Sequence, residues 1–305
     1  MHVWLLKRLG YSLLTLVAIS VIVFSLVRLT GDPVLLFLPP DSPTEEVARL
    51  RRELGFEDPL TVQYARFLRA ALHGDVGFSL KHQEPALRVV LARLPATLEL
   101  ATAAMLVTLA IALPAGVVSA VKRNSWVDRL VMAGVVLGQS MPTYWIGIML
   151  ILVVSVWAQL LPPFGRGGLA HLVMPSVTLA LFFTARIARL TRSGMLNVLR
   201  ADYVRTARAK GLGAPTVVLK HALRNAALPI VTVVGIEFGT LLGGTVITET
   251  VFAWPGLGRL AVEAIFARDY PVVQTIVLLV SAMFVSINFL VDLLYRVIDP
   301  RVELA

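Results

Sequence analysis

The chain has 305 residues, of which 57% are hydrophobic and 15% charged, with a mean hydropathy of +0.79 and a net charge of +9. A soluble domain is nearer half apolar and a quarter charged, so this composition indicates that lipid is the solvent. The basic residues cluster at the ends of apolar runs and not in a basic and aromatic strip, which favours a membrane over nucleic acid as partner. The absence of cysteine excludes disulfides and thiolate metal sites.

Six apolar stretches have the roughly 20 residues that a membrane-spanning helix needs. They are residues 9–29, 97–121, 130–160, 172–193, 226–248 and 273–297. The first is too long for a signal-peptide core and no small-residue cleavage site follows it, so it is interpreted as a retained span. Pro142, among the polar residues of QSMPTYW, predicts a kink in the third. The sequence therefore predicts an all-α polytopic membrane protein with six transmembrane helices.

Residues 30–95 separate the first two spans and carry start and stop signals for short helices. Ser42 and Asp58 are predicted N-caps, each followed by proline, and Gly55 and Gly74 are the predicted ends. A third short helix leads into the second span. We expect a small helical extracytoplasmic cap whose apolar faces pack over another part of the protein. A connector without such a role is the alternative.

Lysine and arginine in the short loops predict the orientation. One side carries sixteen of them, in the N-terminal tail, residues 122–129, residues 186–224 and the C-terminal tail. The loops of the other side carry three, Arg166, Arg259 and Arg268. Both termini are therefore predicted to face the cytoplasm.

Residues 201–229 are basic although long apolar runs flank them, with five Lys/Arg against the single acid Asp202. ADYVRTARAKG is predicted to be a helix that ends at Gly211 and Gly213, and a second short helix is predicted to start near Pro215. Such a helix–turn–helix near the membrane surface offers small residues, Ala207, Ala209 and Gly211, for close approach by another backbone or side chain. A positive loop that rests on anionic lipid is the alternative.

Nine stretches, in order along the chain, resemble the first membrane subunit of the dipeptide/oligopeptide (peptide/nickel) family of ABC importer permeases. They are LTGDP (29–33), HGDVGFSL (73–80), PATLELA (95–101), VSAVKRNSWVD (118–128), SMPTYWIGIMLI (140–151), RLTRSGMLNVLRADYVRTARAKG (189–211), ITETVFAWPGLGRL (247–260), RDYPVVQ (268–274) and NFLVDLLYRVIDPR (288–301). Each is a weak signal alone, and their shared order makes the resemblance specific and extends it over the whole chain.

The resemblance implies that residues 1–305 form one permease domain with the ABC importer permease fold, in the inner membrane of a bacterium. The implied partners are a homologous second permease, two ABC ATPase subunits, an extracytoplasmic substrate-binding protein and a short peptide as cargo. ATP and magnesium would bind to the ATPase subunits, and this chain would hold no cofactor or metal. Dipeptides, oligopeptides, nickel complexes and glutathione all remain open as substrates.

The resemblance also implies that residues 199–225 are the cytoplasmic coupling loop of the EAA type, which we call the coupling segment. Ala207 and Gly211 match the alanine and glycine of the family motif, whereas Arg205 and Thr206 stand where the general motif has glutamate and alanine. The predicted ATPase-coupling residues are Arg205, Thr206, Ala207, Arg208, Ala209, Lys210 and Gly211.

Polar residues within the spans are candidates to line a translocation path, because an ionisable group at mid-bilayer costs about 2.5–3.5 kcal/mol on insertion scales. Glu237, flanked by glycines, is expected to face a partner helix or an aqueous path, where it either attracts the amino group of a peptide or makes an inter-subunit hydrogen bond. The other candidates, for which packing is the alternative role, are Gln139, Ser140, Tyr144 and Asn288. Arg186, Arg189 and Arg192 are interpreted as anchors at the membrane interface.

Catalytic motifs are absent from the sequence. It has no GxxxxGK[ST], GxSxG or HExxH, and its five histidines lack ligand spacing. We therefore expect a non-catalytic subunit. A self-sufficient channel or proton-coupled peptide carrier is the main alternative, and a membrane-embedded enzyme is the third hypothesis.

Overall fold

The computed structural model describes residues 2–30, 43–53 and 55–298. Over these residues the chain forms α-helices, one two-stranded hairpin and two π-helical stretches. The helices are α1 (His2–Thr30), α2 (Thr44–Glu53), α3 (Leu60–Leu72), α4 (Ala86–Val121), α5 (Trp126–Ser140), α6 (Thr143–Leu150), α7 (Leu169–Val198), α8 (Asp202–Ala209), α9 (Arg224–Gly244), α10 (Val246–Val251), α11 (Leu257–Phe266) and α12 (Tyr270–Ile298). The strands are β1 (Phe78–Ser79) and β2 (Glu84–Pro85), and the π-helical stretches are Ile151–Trp157 and Thr216–Leu223.

The predicted spans are present as long apolar helices. Among the described residues, five helical stretches are long and apolar enough to cross a membrane, or six if a bent pair counts as one span. The second span, α4, has 36 residues and is about 54 Å long, which exceeds the ~30 Å hydrocarbon thickness. The short helix predicted before this span is therefore the first part of one continuous helix.

The bent pair is the third predicted span. Trp126–Ser140 and Thr143–Trp157 meet at 99°. Pro142 occupies the N-cap position of α6, where its missing N–H and fixed φ interrupt the helix that α5 began. The prediction of a kink at Pro142 is confirmed.

The two short helices predicted between the first two spans form, and the cap of α3 differs from the prediction. Ser42 lies outside the described residues, so its capping role stays a prediction. Asp58 is not the N-cap of α3: Pro59 takes that position, and the Asp58 carboxylate accepts a hydrogen bond from Arg66 at 2.7 Å. Gly74 follows the end of α3 with φ +81°, as a stop signal should. The location of these helices outside the membrane remains a prediction.

The chain divides into two compact units, and the first comprises Met1–Pro95 and Leu260–Val285. Within it, α3 packs on α1 through Phe24, whose ring centroid lies 5.3 Å from Tyr64 and 5.6 Å from Phe67. The hydroxyls of Ser20 and Tyr64 share a hydrogen bond of 2.8 Å. This aromatic cluster fixes α3 to the first span.

The β1–β2 hairpin joins two of the motifs that carry the resemblance. The Ser79 hydroxyl donates to the Asp269 carboxylate at 2.5 Å, and both groups are buried. A Cβ on Gly77 would lie 3.2 Å from Pro271, so the hairpin passes close to the start of α12. HGDVGFSL and RDYPVVQ are therefore two sides of one contact within the first unit.

The second unit comprises Ala96–Arg259 and Ser286–Ala305 and has α7 as its central helix. α7 packs against α5, α6 and α9, and much of its length is buried. Small residues allow the close approach: a Cβ on Gly116 of α4 would lie 2.7 Å from the Ala188 carbonyl oxygen and 2.5 Å from the Thr191 Cβ. α6 packs against α10 in the same unit.

Candidate translocation path and coupling segment

The coupling segment begins with the amphipathic helix α8. Its Val204 and Ala207 are buried against Val217, with Val198 of α7 beside them. The other predicted coupling residues of α8, Arg205, Thr206, Arg208 and Ala209, are exposed, and so is Lys210 after it. The helix thus presents a basic outer face while a small apolar cluster holds its inner face.

Gly211 makes the turn after α8 with φ +76°, a conformation that L side chains rarely adopt. Its N–H donates to the Arg208 carbonyl at 2.9 Å, and the Leu212 N–H donates to Ala207 at 3.3 Å. A Cβ at Gly211 would have no atom of the described residues within 4 Å. Backbone conformation, and not lack of space within this chain, therefore explains the glycine.

The second half of the coupling segment corrects one prediction. Pro215 does precede a helix, but that helix is not short. Thr216–Gly244 is one continuous apolar helix, whose first turns are π-helical and whose remainder is α9. The segment after the turn is therefore the N-terminal extension of the predicted fifth span.

A small pocket lies beside α8. It has a volume of about 120 Å³ and is lined by Val121, Leu199, Arg208, Ala214, Val217 and Val218. These residues come from the end of α4, the end of α7 and both halves of the coupling segment. The volume suits a few water molecules or one side chain and is too small for a peptide.

Three arginines of α7 contact neighbouring helices, which their interpretation as interface anchors did not include; their position relative to the membrane stays a prediction. Arg186 Nη1 donates to Glu237 Oε1 of α9 at 2.5 Å, and Arg189 Nη2 donates to Gln139 Oε1 of α5 at 3.1 Å. Arg192, one turn further on, makes a bidentate ion pair that is described below. The sequence could not reveal these partners, because they lie on other helices, at least 50 residues away along the chain.

Glu237 is buried, with 5% of its side chain exposed, whereas the side chain of Arg186 is 60% exposed. Glu237 thus faces a helix of this chain, α7, and its contact with a peptide or with a second subunit stays a prediction. Two residues earlier, a Cβ on Gly235 would overlap Val291 of α12, so α9 and α12 also approach closely there. Because Arg186 balances its charge, Glu237 attracts a peptide amino group less than the sequence alone had suggested.

Of the remaining path candidates, only Gln139 forms a hydrogen bond with one of the α7 arginines among the described residues. Gln139 is half-buried beside Arg189, and Ser140 follows it as an exposed residue whose hydroxyl donates to the Val136 carbonyl. Tyr144 is 51% exposed beyond the bend. Asn288 is half-buried on α12. Among the described residues, no hydrogen bond joins Tyr144 or Asn288 to the Arg186–Glu237 pair.

Asp128, which the sequence analysis did not single out, organises the start of α5. It accepts from Arg192 Nε and Nη2 at 2.9 and 2.7 Å, from the Ser119 hydroxyl and from the Asn124 N–H at 3.0 Å. Ser125 caps α5 by accepting from the Asp128 N–H at 3.3 Å. The motif VSAVKRNSWVD is therefore a polar junction that joins α4, α5 and α7.

Glu249 was also missed, and it is fully buried. Its Oε1 accepts from the hydroxyls of Thr97 at 2.8 Å and Thr245 at 2.9 Å, and its Oε2 accepts from the Arg259 N–H at 2.9 Å. A Cβ on Gly256 would overlap the carboxylate, so this glycine is required for the turn to come so close. In the sequence, the acid and the glycines within ITETVFAWPGLGRL could have indicated this buried carboxylate.

The same junction ties two distant motifs together. The Leu257 N–H donates to the Thr97 hydroxyl at 2.7 Å, and the buried Trp254 donates through Nε1 to the Ala96 carbonyl at 2.8 Å. Glu99, two residues after Thr97, pairs with Arg166 at 2.6 Å. The turn WPGLGRL therefore packs on PATLELA through buried hydrogen bonds.

Comparison with known proteins decides the family. Residues 112–304 match the family described as binding-protein-dependent transport system inner membrane component, and residues 1–101 match its N-terminal component. The chain belongs to this family. It is a multi-pass membrane permease subunit of the ABC importer class, a transport component and not a catalytic enzyme.

Several curated relatives match over nearly the whole length. The dipeptide transport system permease protein DppB of Escherichia coli (strain K12) is 42% identical over 98% of both chains. The glutathione transport system permease protein GsiC of Salmonella paratyphi A is also 42% identical, over 98% of both chains. DppB of Alkalihalophilus pseudofirmus is 39% identical over 99% of this chain and 100% of its own.

Solved structures support the fold. The MetNI methionine ABC transporter, in an inward-facing conformation, has a chain that matches with a TM-score of 0.60 and 23% identity, over 70% of this chain and 97% of that one. A chain of an amino acid ABC transporter matches with a TM-score of 0.52 and 17% identity, over 68% of this chain and 94% of that one. The predicted ABC importer permease fold is confirmed.

Proposed function

We propose that this chain forms half of the translocation pathway of an ATP-driven importer of short peptides. The observation that carries the proposal is the 42% identity, over 98% of both chains, to permeases named for dipeptide and for glutathione transport. A homologous second permease would supply the other half of the pathway. Two ATPase subunits would bind ATP and magnesium, and a substrate-binding protein would deliver the peptide.

The coupling segment is the proposed attachment point for an ATPase subunit. Its inner face is held by the Val204, Ala207 and Val217 cluster, which leaves the basic outer face of α8 for a partner. Because Val217 belongs to the continuous helix Thr216–Gly244, a displacement of α8 would be passed directly to α9. The Arg186–Glu237 pair would pass it on to α7.

The proposed orientation places both termini and the coupling segment in the cytoplasm, from the count of sixteen basic residues against three. Residues 30–95 would then lie outside, where the substrate-binding protein docks. α3 is fixed to α1 by the aromatic cluster around Phe24, which gives this region a firm seat on the first span.

The proposed path residues are Glu237, Gln139, Ser140, Tyr144 and Asn288. Ser140 and Tyr144 flank the 99° bend between α5 and α6 and are exposed there. A bend in a membrane-spanning segment frees backbone polar groups, which are tolerated where protein or a water-filled cavity satisfies them. This supports a position for the bend beside the passage.

Uptake by proteoliposomes tests the proposal. The purified complex is reconstituted with ATP on the ATPase side and, on the other side, the binding protein with labelled dialanine, trialanine or glutathione. We expect ATP-dependent accumulation of at least one of them. Uptake that ignores ATP and follows an imposed proton gradient would contradict the proposal and favour a self-sufficient carrier.

A further inference from the structure

We propose that Arg186 and Arg189, with Gln139 beside them, form a site that binds the carboxylate of a peptide in transit. The inference rests on the proposed function and adds the chemical group that the spans recognise. It concerns two guanidinium groups that remain exposed although each holds a neighbouring helix.

Both arginines belong to the predicted span 172–193, although the charge count also placed them in the basic segment 186–224 on its cytoplasmic side. Glu237 is at the midpoint of the apolar stretch 226–248, and Arg186 contacts it. Arg186 is itself only about 5 Å along the helix from the midpoint of the stretch 172–193. Gln139, the partner of Arg189, lies within the third predicted span, next to its bend.

Exposure within a predicted span limits what these two arginines can face. Arg186 has 60% of its side chain exposed, and Arg189 is exposed as well. A guanidinium in contact with hydrocarbon is costly, and arginine in spans faces a bundle interior or a water-filled cavity. The exposed sides of these two residues therefore face a passage or a polar group of a partner.

The charge of the cluster selects an anion. Two guanidinium groups stand against one carboxylate, Glu237, so the cluster has a net positive charge. Arg186 uses Nη1 for that carboxylate, and its Nε and Nη2 donate to no group among the described residues. Gln139 holds Arg189 through Oε1, which leaves its amide N–H groups to donate.

A carboxylate is the anion that fits the proposed cargo. Arginine binds carboxylates in bidentate geometry, with charge-assisted hydrogen bonds about twice as strong as neutral ones. Dipeptides and glutathione share a free terminal carboxylate, although their amino ends differ. A site for this group would accept both kinds of substrate.

Equilibrium binding to the complete complex in nanodiscs, without the binding protein, tests this site. Labelled dialanine is the probe, and dialanine with a C-terminal amide is the competitor. The paired variant Arg186→Gln/Glu237→Gln removes both charges while it keeps a hydrogen-bonding pair, so that no buried charge is left alone. Arg129→Gln is the control, since Arg129 is an exposed arginine at the start of α5 outside the cluster.

We expect dialanine to bind and the amide to compete at least about tenfold more weakly, the loss that one charge-assisted hydrogen bond produces. The paired variant, in which Arg189 is the only arginine left in the cluster, should reduce this preference severalfold, and Arg129→Gln should retain it. Equal competition by the amide in the unmodified complex, an unchanged preference in the paired variant, or no dialanine binding would each overturn the inference. Uptake by the unmodified complex is measured separately, so ATP-dependent import with no carboxylate preference would overturn this inference and leave the proposed function standing.

Discussion

The Glu249 carboxylate is fully buried, and its hydrogen bonds hold the turn WPGLGRL in place. It holds the hydroxyls of Thr97 and Thr245 and the backbone N–H of Arg259. An unpartnered carboxylate at this site would be very costly, and hydrogen bonds to a charged group typically contribute about 1.5–3 kcal/mol each. We infer that Glu249 fixes the turn WPGLGRL to α4.

Glu249→Gln should therefore lower the free energy of unfolding by roughly 2 kcal/mol. Both carboxylate oxygens accept hydrogen bonds, and the amide nitrogen that replaces one of them would face a donor instead of accepting from it. Thermal unfolding of the purified subunit in detergent measures the change. Glu84→Gln is the matched control, since Glu84 is exposed on β2 and should tolerate the same substitution. Equal melting temperatures for the two variants would contradict the structural role of Glu249.

Single residues could be predicted from the sequence only where the local pattern was informative. Glu237 was recognised because an acid among glycines in an apolar run is rare. Its partner Arg186 was not, because 51 residues separate the two and only the packing of α7 on α9 brings them together. Asp128 was overlooked for the same reason, since 64 residues separate it from Arg192.

At the scale of elements, close helix contacts depend on small residues. Gly116 of α4 faces α7, where an added Cβ would lie 2.5 Å from the Thr191 Cβ. A Cβ added to Gly134 of α5 would have no atom of the described residues within 4 Å. The two glycines thus have the same backbone conformation in helices and opposite surroundings.

Gly116→Ala should destabilise the subunit by about 1–3 kcal/mol, because the helices must separate or distort to admit the methyl group. Gly134→Ala should be neutral or stabilising by up to about 1 kcal/mol, through helix propensity. Unfolding of the two variants under the same conditions compares them. A Gly116→Ala variant as stable as Gly134→Ala would show that α4 and α7 are not in contact as described.

Hydrophobic runs of about 20 residues predicted the positions of the spans, because membrane thickness sets that length. Helix ends were less predictable. Asp58 has the sequence pattern of an N-cap, yet its carboxylate contacts Arg66. Pro215 indicated a new short helix, and nothing in the local sequence showed that this helix would continue to Gly244 without a break.

At the scale of the whole complex, a substitution at Gly211 can test attachment of the ATPase without unfolding this chain. Gly211→Asn should fold, because asparagine tolerates positive φ and a side chain here meets no atom of the described residues. If the turn fits a surface of the ATPase, the variant should retain about tenfold less ATPase on purification.

Gly165→Asn is the control for that experiment. Gly165 also has positive φ, at +87°, and open space at the Cβ position among the described residues, but it lies in the loop before α7, which is predicted to be outside the cell. Both variants should unfold at similar temperatures. Equal retention of the ATPase by the two would contradict the role of Gly211 in coupling.

The central claim is that an ATPase subunit attaches to the coupling segment on the cytoplasmic side, and site-specific cross-linking measures this most directly. The chain has no cysteine, so Arg208→Cys and Leu72→Cys each introduce a single attachment point for a cysteine-linked photo-cross-linker. Arg208 is on the outer face of α8, and Leu72 is 78% exposed at the end of α3. We predict cross-links to the ATPase from position 208 and none from position 72. Cross-links from position 72, or none from position 208 in a complex that hydrolyses ATP, would contradict the account.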